Sequence, residues 1–242
     1  MIRTIYYIIL IYFILGGISF YLINHKKEKD VAKKSYTKFI TYFFIINILF
    51  FGITIHSVVF QYISYIIIIA GIYEIINLFF KSGYSHKSLF ILFLMIYFIL
   101  SLGFLSFTHL NKNLILFSFL VLSIFDSFSQ ITGQFFGKHK IISKISPNKT
   151  IEGTIGGFII AMGSGLLMRN LYDGFSWKTI IMTTGIIIFA FLGDLLASLY
   201  KRKYNVKDYS KIIPGNGGFL DRFDSLIAGG AWVCVGLFLL NL

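Results

Sequence analysis

The chain has 242 residues, and its composition is that of an integral membrane protein. Hydrophobic residues make up 57% of it, charged residues only 13%, and 28 positions are phenylalanine; the mean hydropathy is +0.80. These values exclude an ordinary soluble globular domain. The net charge of +12 would suit a nucleic-acid-binding protein, but in so apolar a chain the basic residues are expected at the membrane face, against headgroups or phosphorylated ligands. No nucleic-acid partner is therefore predicted.

Cysteine and histidine, the residues most often used in structural metal sites, show no metal-binding pattern in this chain. The single cysteine, Cys234, lies in an apolar run, which excludes an intramolecular disulfide and a thiolate cluster. The five histidines are scattered without ligand spacing. No zinc site is therefore predicted.

Apolar runs of membrane-spanning length recur along the chain and predict an all-α, polytopic membrane protein with about eight transmembrane helices. The first run follows Arg3 and lacks a small-residue cleavage site, which favours a retained helix over a signal peptide. The second and third runs are separated so tightly that a re-entrant pair is an alternative. The predicted spans are about 4–23, 39–58, 61–80, 89–107, 114–132, 154–172, 179–198 and 223–241.

The basic residues indicate how these spans are oriented. If the spans alternate, the four segments that share one side hold 18 of the 22 lysines and arginines. Positive residues are retained on the cytoplasmic side, so these segments are predicted to be cytoplasmic and both termini to lie outside. Function is expected in the two longer loops, which contain the two prolines. The four segments are 24–38, 81–88, 133–152 and 199–222.

The segment Ser146–Gly153 leads from a basic loop directly into the sixth span. Thr150 is a candidate N-cap, and Glu152 falls in the first turn, where the helix dipole favours an acid. Lys149 and Thr150 would then present an ammonium and a hydroxyl beside a helix N-terminus, which suits a phosphate. The alternative is a basic loop followed by an ordinary helix start.

The polar segment 198–224 lies between the last two spans and contains six basic residues and three acids. Just before it, Asp194 is four residues from Ser198, which is three residues from Lys201, so the three share one helical face. An acid in this apolar context is costly unless it faces a partner or a cavity. The alternative is a simple ion pair between Asp194 and Arg202 or Arg222.

Asp221 and Asp224 stand three residues apart at the start of the last span. With Asp194 they would supply two separate sources of carboxylate oxygen, the ligand that Mg²⁺ prefers. The intervening glycine-rich turn, Pro214–Gly218, can adopt positive φ and bring backbone N–H groups close to a phosphate. Such a string is also common in turns that bind nothing.

Two further acids lie inside predicted spans. Asp126, which shares a helical side with Gln130 and Gly133, is predicted to face the same site as the two polar segments, and the alternative is a hydrogen bond to a neighbouring helix. Glu74, which has Asn77 nearby in the third span, is interpreted as a structural polar contact.

Together the two polar segments resemble the signature of the phosphatidate cytidylyltransferases, the CDP-diacylglycerol synthases. The resemblance covers about residues 126–225, whereas the first 110 residues share only a multi-helix membrane character. The first segment carries Ser146-Pro-x-Lys149-Thr150-x-Glu152-Gly153, preceded by Gly137-Lys138. The second carries Ser198-x-x-Lys201-Arg202, Lys207-Asp208, Pro214-Gly215-Asn216-Gly217-Gly218 and Asp221-Arg222-x-Asp224.

The resemblance implies an enzyme of phospholipid biosynthesis that converts CTP and phosphatidic acid to CDP-diacylglycerol and pyrophosphate, and that requires one or two magnesium ions. It implies two parts, an N-terminal helical part over 1–110 and a C-terminal catalytic part over 111–242, with a polar cavity open to the cytoplasm. The expected location is the inner or plasma membrane, in contact with its lipids, and a homodimer is compatible with the resemblance.

The resemblance also assigns roles to individual residues. The metal ligands would be Asp194 and Asp221, with Asp224 supporting or completing the shell. The predicted catalytic residues are Asp194, Asp221, Ser198, Lys201 and Arg202. The predicted substrate-binding residues are Lys149, Thr150, Glu152, Lys207, Asp208, Asn216, Gly217, Gly218, Arg222 and Asp126.

Three positions depart from the family pattern. Asn216 stands where the family usually has His, Ile151 where it has Trp, and Gln134 where it has Arg. Asn can donate a hydrogen bond but cannot titrate. These changes leave open the same CTP chemistry on another lipid phosphate, such as the ether-linked acceptor of a CDP-archaeol synthase. A non-catalytic phosphatidate-binding protein is a further alternative, but it would need the basic residues and not the acids.

Overall fold

A computed structural model describes residues 2–25, 28–171, 176–215 and 217–240 of the chain, and eight α-helices account for most of this described part. The all-α class is therefore confirmed. The helices are α1 (Ile2–Asn24), α2 (Lys29–Ile55), α3 (Ser57–Lys81), α4 (Lys87–Thr108), α5 (Lys112–Phe136), α6 (Ile151–Leu167), α7 (Ser176–Lys203) and α8 (Leu220–Leu240).

Seven of the described helices are long enough and apolar enough to cross a membrane, and they correspond to seven of the predicted spans. α2 and α3 both reach this length, which favours two separate spans over a re-entrant pair. α6 is shorter than predicted, because its 17 residues are followed by a 3₁₀ turn at Arg169–Leu171. At 1.5 Å per residue it extends about 26 Å, near the lower limit for a transmembrane helix.

The outer surface of the bundle is strongly apolar. Ile14, Ile69 and Phe98 are each about 60% exposed, and large exposed hydrophobic side chains recur along α1 to α4. A soluble protein does not expose apolar surface on this scale. In a bilayer the same surface faces lipid, so the exposure agrees with a multi-pass membrane protein.

The centre of the bundle is α5, which packs against α1, α2, α6, α7 and α8. Its first half is buried on nearly every side. α6 approaches it closely at Gly157, where an added Cβ would clash with Ser129 Oγ. Small residues allow such approaches between membrane helices, where van der Waals packing replaces the hydrophobic effect as the driving force.

Between α5 and α6 the chain forms a short hairpin that the sequence analysis did not predict. Strand β1 (Lys140–Ile142) pairs antiparallel with β2 (Ser146–Thr150), with Lys140 opposite Thr150 and Ile142 opposite Ser146. Because β2 runs directly into α6, the hairpin fixes Lys149 and Thr150 at the start of that helix.

The four basic segments that alternation places on one side lie together at one end of the bundle. Tyr204 donates to the Ser85 carbonyl at 3.2 Å, and Arg202 Nε donates to the Ile145 carbonyl at 3.1 Å. In α2, just after the first basic segment, Thr41 Oγ1 donates to the Pro214 carbonyl at 3.1 Å. These contacts agree with the predicted alternation of the spans.

Candidate active site

Lys149, at the end of β2, forms an ion pair with Asp194 of α7. Ser198, one turn further along α7, donates to Asp194 Oδ1 at 3.3 Å, so these two side chains share a face as predicted. Lys149 Nζ also lies 4.4 Å from the centre of the Phe191 ring. The partner of Asp194 is thus a lysine from the first polar segment, and the two segments meet here.

A second pair joins Lys201, near the end of α7, to Asp221 in the first turn of α8, with Nζ and Oδ1 2.6 Å apart. Both side chains are buried. The other oxygen of Asp221 accepts from the backbone N–H groups of Tyr209 and Gly218, each at 2.8 Å. The Asp221 carboxylate therefore ties α7, α8 and the connecting loop together.

Asp224 lies close to Asp194 because α7 and α8 approach each other at Gly193. A Cβ added at Gly193 would lie 2.8 Å from the Asp224 carbonyl oxygen. Asp224 Oδ1 accepts from the Ser225 N–H at 2.7 Å, whereas Oδ2 is buried and has no hydrogen-bond partner among the described residues. The charges of Asp194, Lys201 and Asp126 act on this carboxyl group.

Asp126 of the central helix α5 lies near the same acids. The charges of Lys149, Asp194 and Arg222 lie close enough to act on its carboxyl group. Three acids from three helices, Asp126, Asp194 and Asp224, thus lie within electrostatic range of one another, surrounded by basic side chains.

The hairpin end of α6 agrees with the predicted helix start. Thr150 is the N-cap, and its hydroxyl accepts from the Gly153 N–H at 3.1 Å. Glu152 accepts from the N–H groups of Lys138 and His139 and from His139 Nδ1 at 2.6 Å. The His139 hydrogen bond, helped by those from the backbone, lowers the pKa of Glu152 to about 2. Since Thr150 is buried and used as a cap, its predicted contact with a substrate phosphate stays a prediction.

The glycine-rich turn has the expected backbone, with φ of 72° at Gly215 and 86° at Gly217. Its N–H groups, however, have internal acceptors. Gly217 donates to the Ile213 carbonyl at 3.1 Å, and Gly218 donates to Asp221. Phosphate binding by Gly217 and Gly218 stays a prediction that would require these bonds to open. Asn216 lies outside the described residues.

The remaining predicted site residues surround this turn. Arg202 donates to the carbonyls of Ile145 and Val206 and so fixes loop backbone. Lys207 and Asp208 are exposed, and both act electrostatically, together with Arg222, on Lys38 of α2.

Sequence reasoning missed three participants in the site. Lys38 comes from the N-terminal part, where no motif marks it. Tyr209 is buried beneath Lys201, whose Nζ lies 5.4 Å from its ring centre, and burial raises its pKa well above the ordinary value. The interpretation of Glu74 as a structural polar contact is confirmed, but its place beside the site was missed: it accepts three hydrogen bonds from the loop before α8 and from the α8 N-terminus. The position of Glu74 as an acid within an apolar span was the only feature of the sequence that could have indicated its role.

A family model described as the cytidylyltransferase family matches residues 2–240. The chain belongs to the cytidylyltransferase family. The resemblance seen in the two polar segments is thus confirmed, and the match extends over the N-terminal helices, where the sequence analysis found only a general membrane character.

Similar proteins are known from several staphylococci. The chain is 46% identical over 116 residues to proteins named phosphatidate cytidylyltransferase from Staphylococcus saprophyticus and Staphylococcus haemolyticus. It is 43% identical over 116 residues to the protein of that name from Staphylococcus aureus. Each aligned region covers 47% of this chain and 44% of the relative, so the chain spans less than half the length of the relatives it matches.

The acids of this cytidylyltransferase-family site suit a hard divalent cation in part. Among the described residues, no group of three or more His, Cys, Asp or Glu side chains is placed to hold a metal ion. Mg²⁺ commonly takes only one or two carboxylates and completes its shell with water and substrate phosphate. Asp224 Oδ2, which is buried and has no hydrogen-bond partner among the described residues, is the oxygen best placed to join such a shell. The oxygens of Asp194 contact Lys149 and Ser198, and those of Asp221 also have internal donors, so either carboxylate would have to release a partner to bind a metal. The metal-binding roles stay predictions.

Proposed function

We propose that this protein is an integral-membrane nucleotidyltransferase that transfers CMP from CTP to phosphatidic acid, giving CDP-diacylglycerol and pyrophosphate. The observation that carries the proposal is the meeting of Lys149 and Asp194 with Asp126 and Asp224 at one end of an apolar bundle. Membership of the cytidylyltransferase family and the names of the staphylococcal relatives support the same reaction.

The reaction is an in-line displacement at phosphorus. An oxygen of the phosphatidate phosphate forms a bond to the α-phosphorus of CTP. The bond from that phosphorus to the oxygen bridging to the β-phosphate breaks, and pyrophosphate leaves with the electron pair. The attacking phosphate is already ionised near neutral pH, so the reaction needs no strong base. Positioning and charge neutralisation therefore account for most of the catalysis.

The basic side chains of the site are suited to neutralise this charge. Lys149 is half-buried and can exchange Asp194 for a substrate phosphate. Lys207 and Lys38 lie at the outer edge of the site, where a triphosphate would enter. Asp194 and Asp224 would hold magnesium, which when bound would stabilise negative charge on the phosphate oxygens.

The proposal extends to the location of the site. The four segments that alternation places on one side hold 18 of the 22 lysines and arginines in the sequence. Retention of positive charge on the cytoplasmic side supports a cytoplasm-facing site, where CTP is available. Lipid would reach the site from the surrounding membrane. A homodimer stays a prediction from the family resemblance.

The test uses the full chain in mixed micelles with magnesium and CTP labelled at the α-phosphate. The acceptors are diacyl phosphatidic acid, an ether-linked lipid phosphate, and micelles without phospholipid. Transfer of label to the diacyl lipid, with release of pyrophosphate, is expected. Asp194→Asn should not transfer label, whereas Lys144→Met, which alters an exposed hairpin lysine, should match wild type.

The other outcomes contradict the proposal in different ways. Transfer to the ether-linked acceptor alone would assign the same chemistry to another lipid. Absence of transfer to every acceptor, with retained binding to vesicles that contain phosphatidic acid, would identify a non-catalytic binder.

A further inference from the structure

Glu74 of α3 is a buried acid that lies outside the recognised motifs. It is 1% exposed, and its carboxylate accepts from Ser210 Oγ at 2.7 Å, from the Phe219 N–H at 3.0 Å and from the Leu220 N–H at 2.8 Å. An unpaired buried carboxylate would be strongly unfavourable. Three donors and the positive end of the α8 dipole explain why this one is tolerated.

The donors show what Glu74 holds in place. Leu220 is the first residue of α8, and Phe219 immediately precedes it. The first N–H groups of a helix lack intrahelical acceptors. Here an acid from another helix supplies the acceptor, so that α3 determines where α8 begins. The same carboxylate holds Ser210, and with it the loop that follows α7.

Gly218 allows this contact. A Cβ added there would clash with Glu74 Oε1. The φ angle of Gly218 is not in the left-handed region, since the described glycines with positive φ are Gly83, Gly215 and Gly217. The requirement for glycine at 218 is therefore the close approach of the Glu74 carboxylate and not backbone conformation.

The segment that Glu74 holds carries residues of the candidate site. Asp221 accepts hydrogen bonds from the N–H groups of Tyr209 and Gly218. These two residues directly precede Ser210 and Phe219, which donate to Glu74. Asp224 follows one turn later on α8. A shift in the start of α8 would therefore move both acids relative to Asp194 on α7.

We propose that Glu74 is a positioning residue for the active site, and that it acts by fixing the first turn of α8 and the loop at Ser210 against α3. This inference rests on the proposed function. It makes the N-terminal part of the chain a component of the site, although Glu74 itself contacts neither substrate nor the reacting atoms.

The test combines Glu74→Ala, the near-isosteric Glu74→Gln, Gly218→Ala and the double variant Glu74→Ala/Gly218→Ala. Each is assayed for kcat and for KM of CTP at a temperature at which circular dichroism shows it folded. Misplacement by about 1 Å can lower a rate by about 100-fold. We expect kcat to fall by about 100-fold in Glu74→Ala and by about 10-fold in Glu74→Gln, which keeps one acceptor oxygen, with KM changed less than about threefold.

The double variant isolates the contact itself. Gly218→Ala should lower kcat by at least about 10-fold in the wild-type background but by a clearly smaller factor in the Glu74→Ala background, because the clash requires the carboxylate. Ser64→Ala is the matched control, since Ser64 is a buried polar residue of α3 whose hydrogen bond, within the described part of the chain, goes to the Phe60 carbonyl of its own helix. It should leave kcat unchanged.

Three results would overturn the inference. One is wild-type kcat in folded Glu74→Ala, and another is an equal effect of Gly218→Ala in both backgrounds. The third is a wild-type protein that transfers CMP to no lipid, in which case the proposed function fails first. The wild-type assay therefore separates failure of the function from failure of the positioning role.

Discussion

The two lysine–aspartate pairs of the candidate site differ in burial. The side chains of Lys201 and Asp221 are 9% and 2% exposed, whereas those of Lys149 and Asp194 are 26% and 29% exposed. Removing one partner of a buried pair leaves an uncompensated charge, but a half-exposed pair can open into solvent at little cost. We therefore expect the first pair to hold the site together and the second to exchange its internal partner for ligands.

The largest expected effect comes from breaking the buried pair. Asp221→Asn would leave Lys201 without its counter-charge and present an amide to the N–H groups of Tyr209 and Gly218. We expect the free energy of unfolding to fall by about 3–5 kcal/mol. The measurement is denaturant unfolding in detergent micelles, followed by circular dichroism.

Two further variants check this assignment. Asp208→Asn alters an exposed acid in the same loop and should change stability by less than about 0.5 kcal/mol. Adding Lys201→Met to Asp221→Asn removes the unpaired charge and should recover part of the loss. An Asp221→Asn protein as stable as wild type would remove the distinction between the two pairs.

Breaking the half-exposed pair, Lys149–Asp194, should lower activity strongly and stability only slightly. For Asp194→Asn we expect the free energy of unfolding to change by no more than about 1 kcal/mol. CMP transfer should fall by at least about 100-fold, because a proposed ligand of the magnesium ion is lost. Unfolding curves and labelled-CTP assays on the same preparation make the comparison. A loss of stability as large as that of Asp221→Asn, or activity near wild type, would contradict it.

The smallest effect is expected at a third pair, His139–Glu152, in which the His139 side chain is 75% exposed. The folded-state pKa of Glu152, about 2, lies below its ordinary value of 4.5. Its stabilising contribution is therefore complete above about pH 4.5 and is lost as the pH falls toward 2. Glu152→Gln should show its full difference in unfolding midpoint from wild type at about pH 5, and this difference should narrow below about pH 4.

The matched control for this titration is Glu28→Gln, which removes one exposed carboxylate from the start of α2. Unfolding midpoints of the three proteins between about pH 8 and 2.5 provide the measurement. A Glu152→Gln difference that stays constant over that whole range would show that the His139 hydrogen bond does not hold the Glu152 carboxylate.

Local patterns predicted much of the fold because they depend on neighbours in the chain. Apolar length identified the spans, and the spacing of Asp194 and Ser198 placed them on one face of α7. Thr150 was recognised as an N-cap because its role depends on the residues that follow it. The 17-residue length of α6 and the hairpin before it were not predicted, since a 3₁₀ turn and a five-residue strand leave little periodic signal.

The sequence by itself determined the membrane class, the order of the helices and the two motifs that place the chain in its family. These follow from composition and from spacing within single elements. Only the tertiary structure decided that Lys149 is the partner of Asp194, that Asp221 is held by Lys201 and two N–H groups, and that Glu74 fixes the start of α8. Each of these contacts joins residues on different elements, and a charge pattern along the chain cannot distinguish among many possible partners until packing brings one of them into reach.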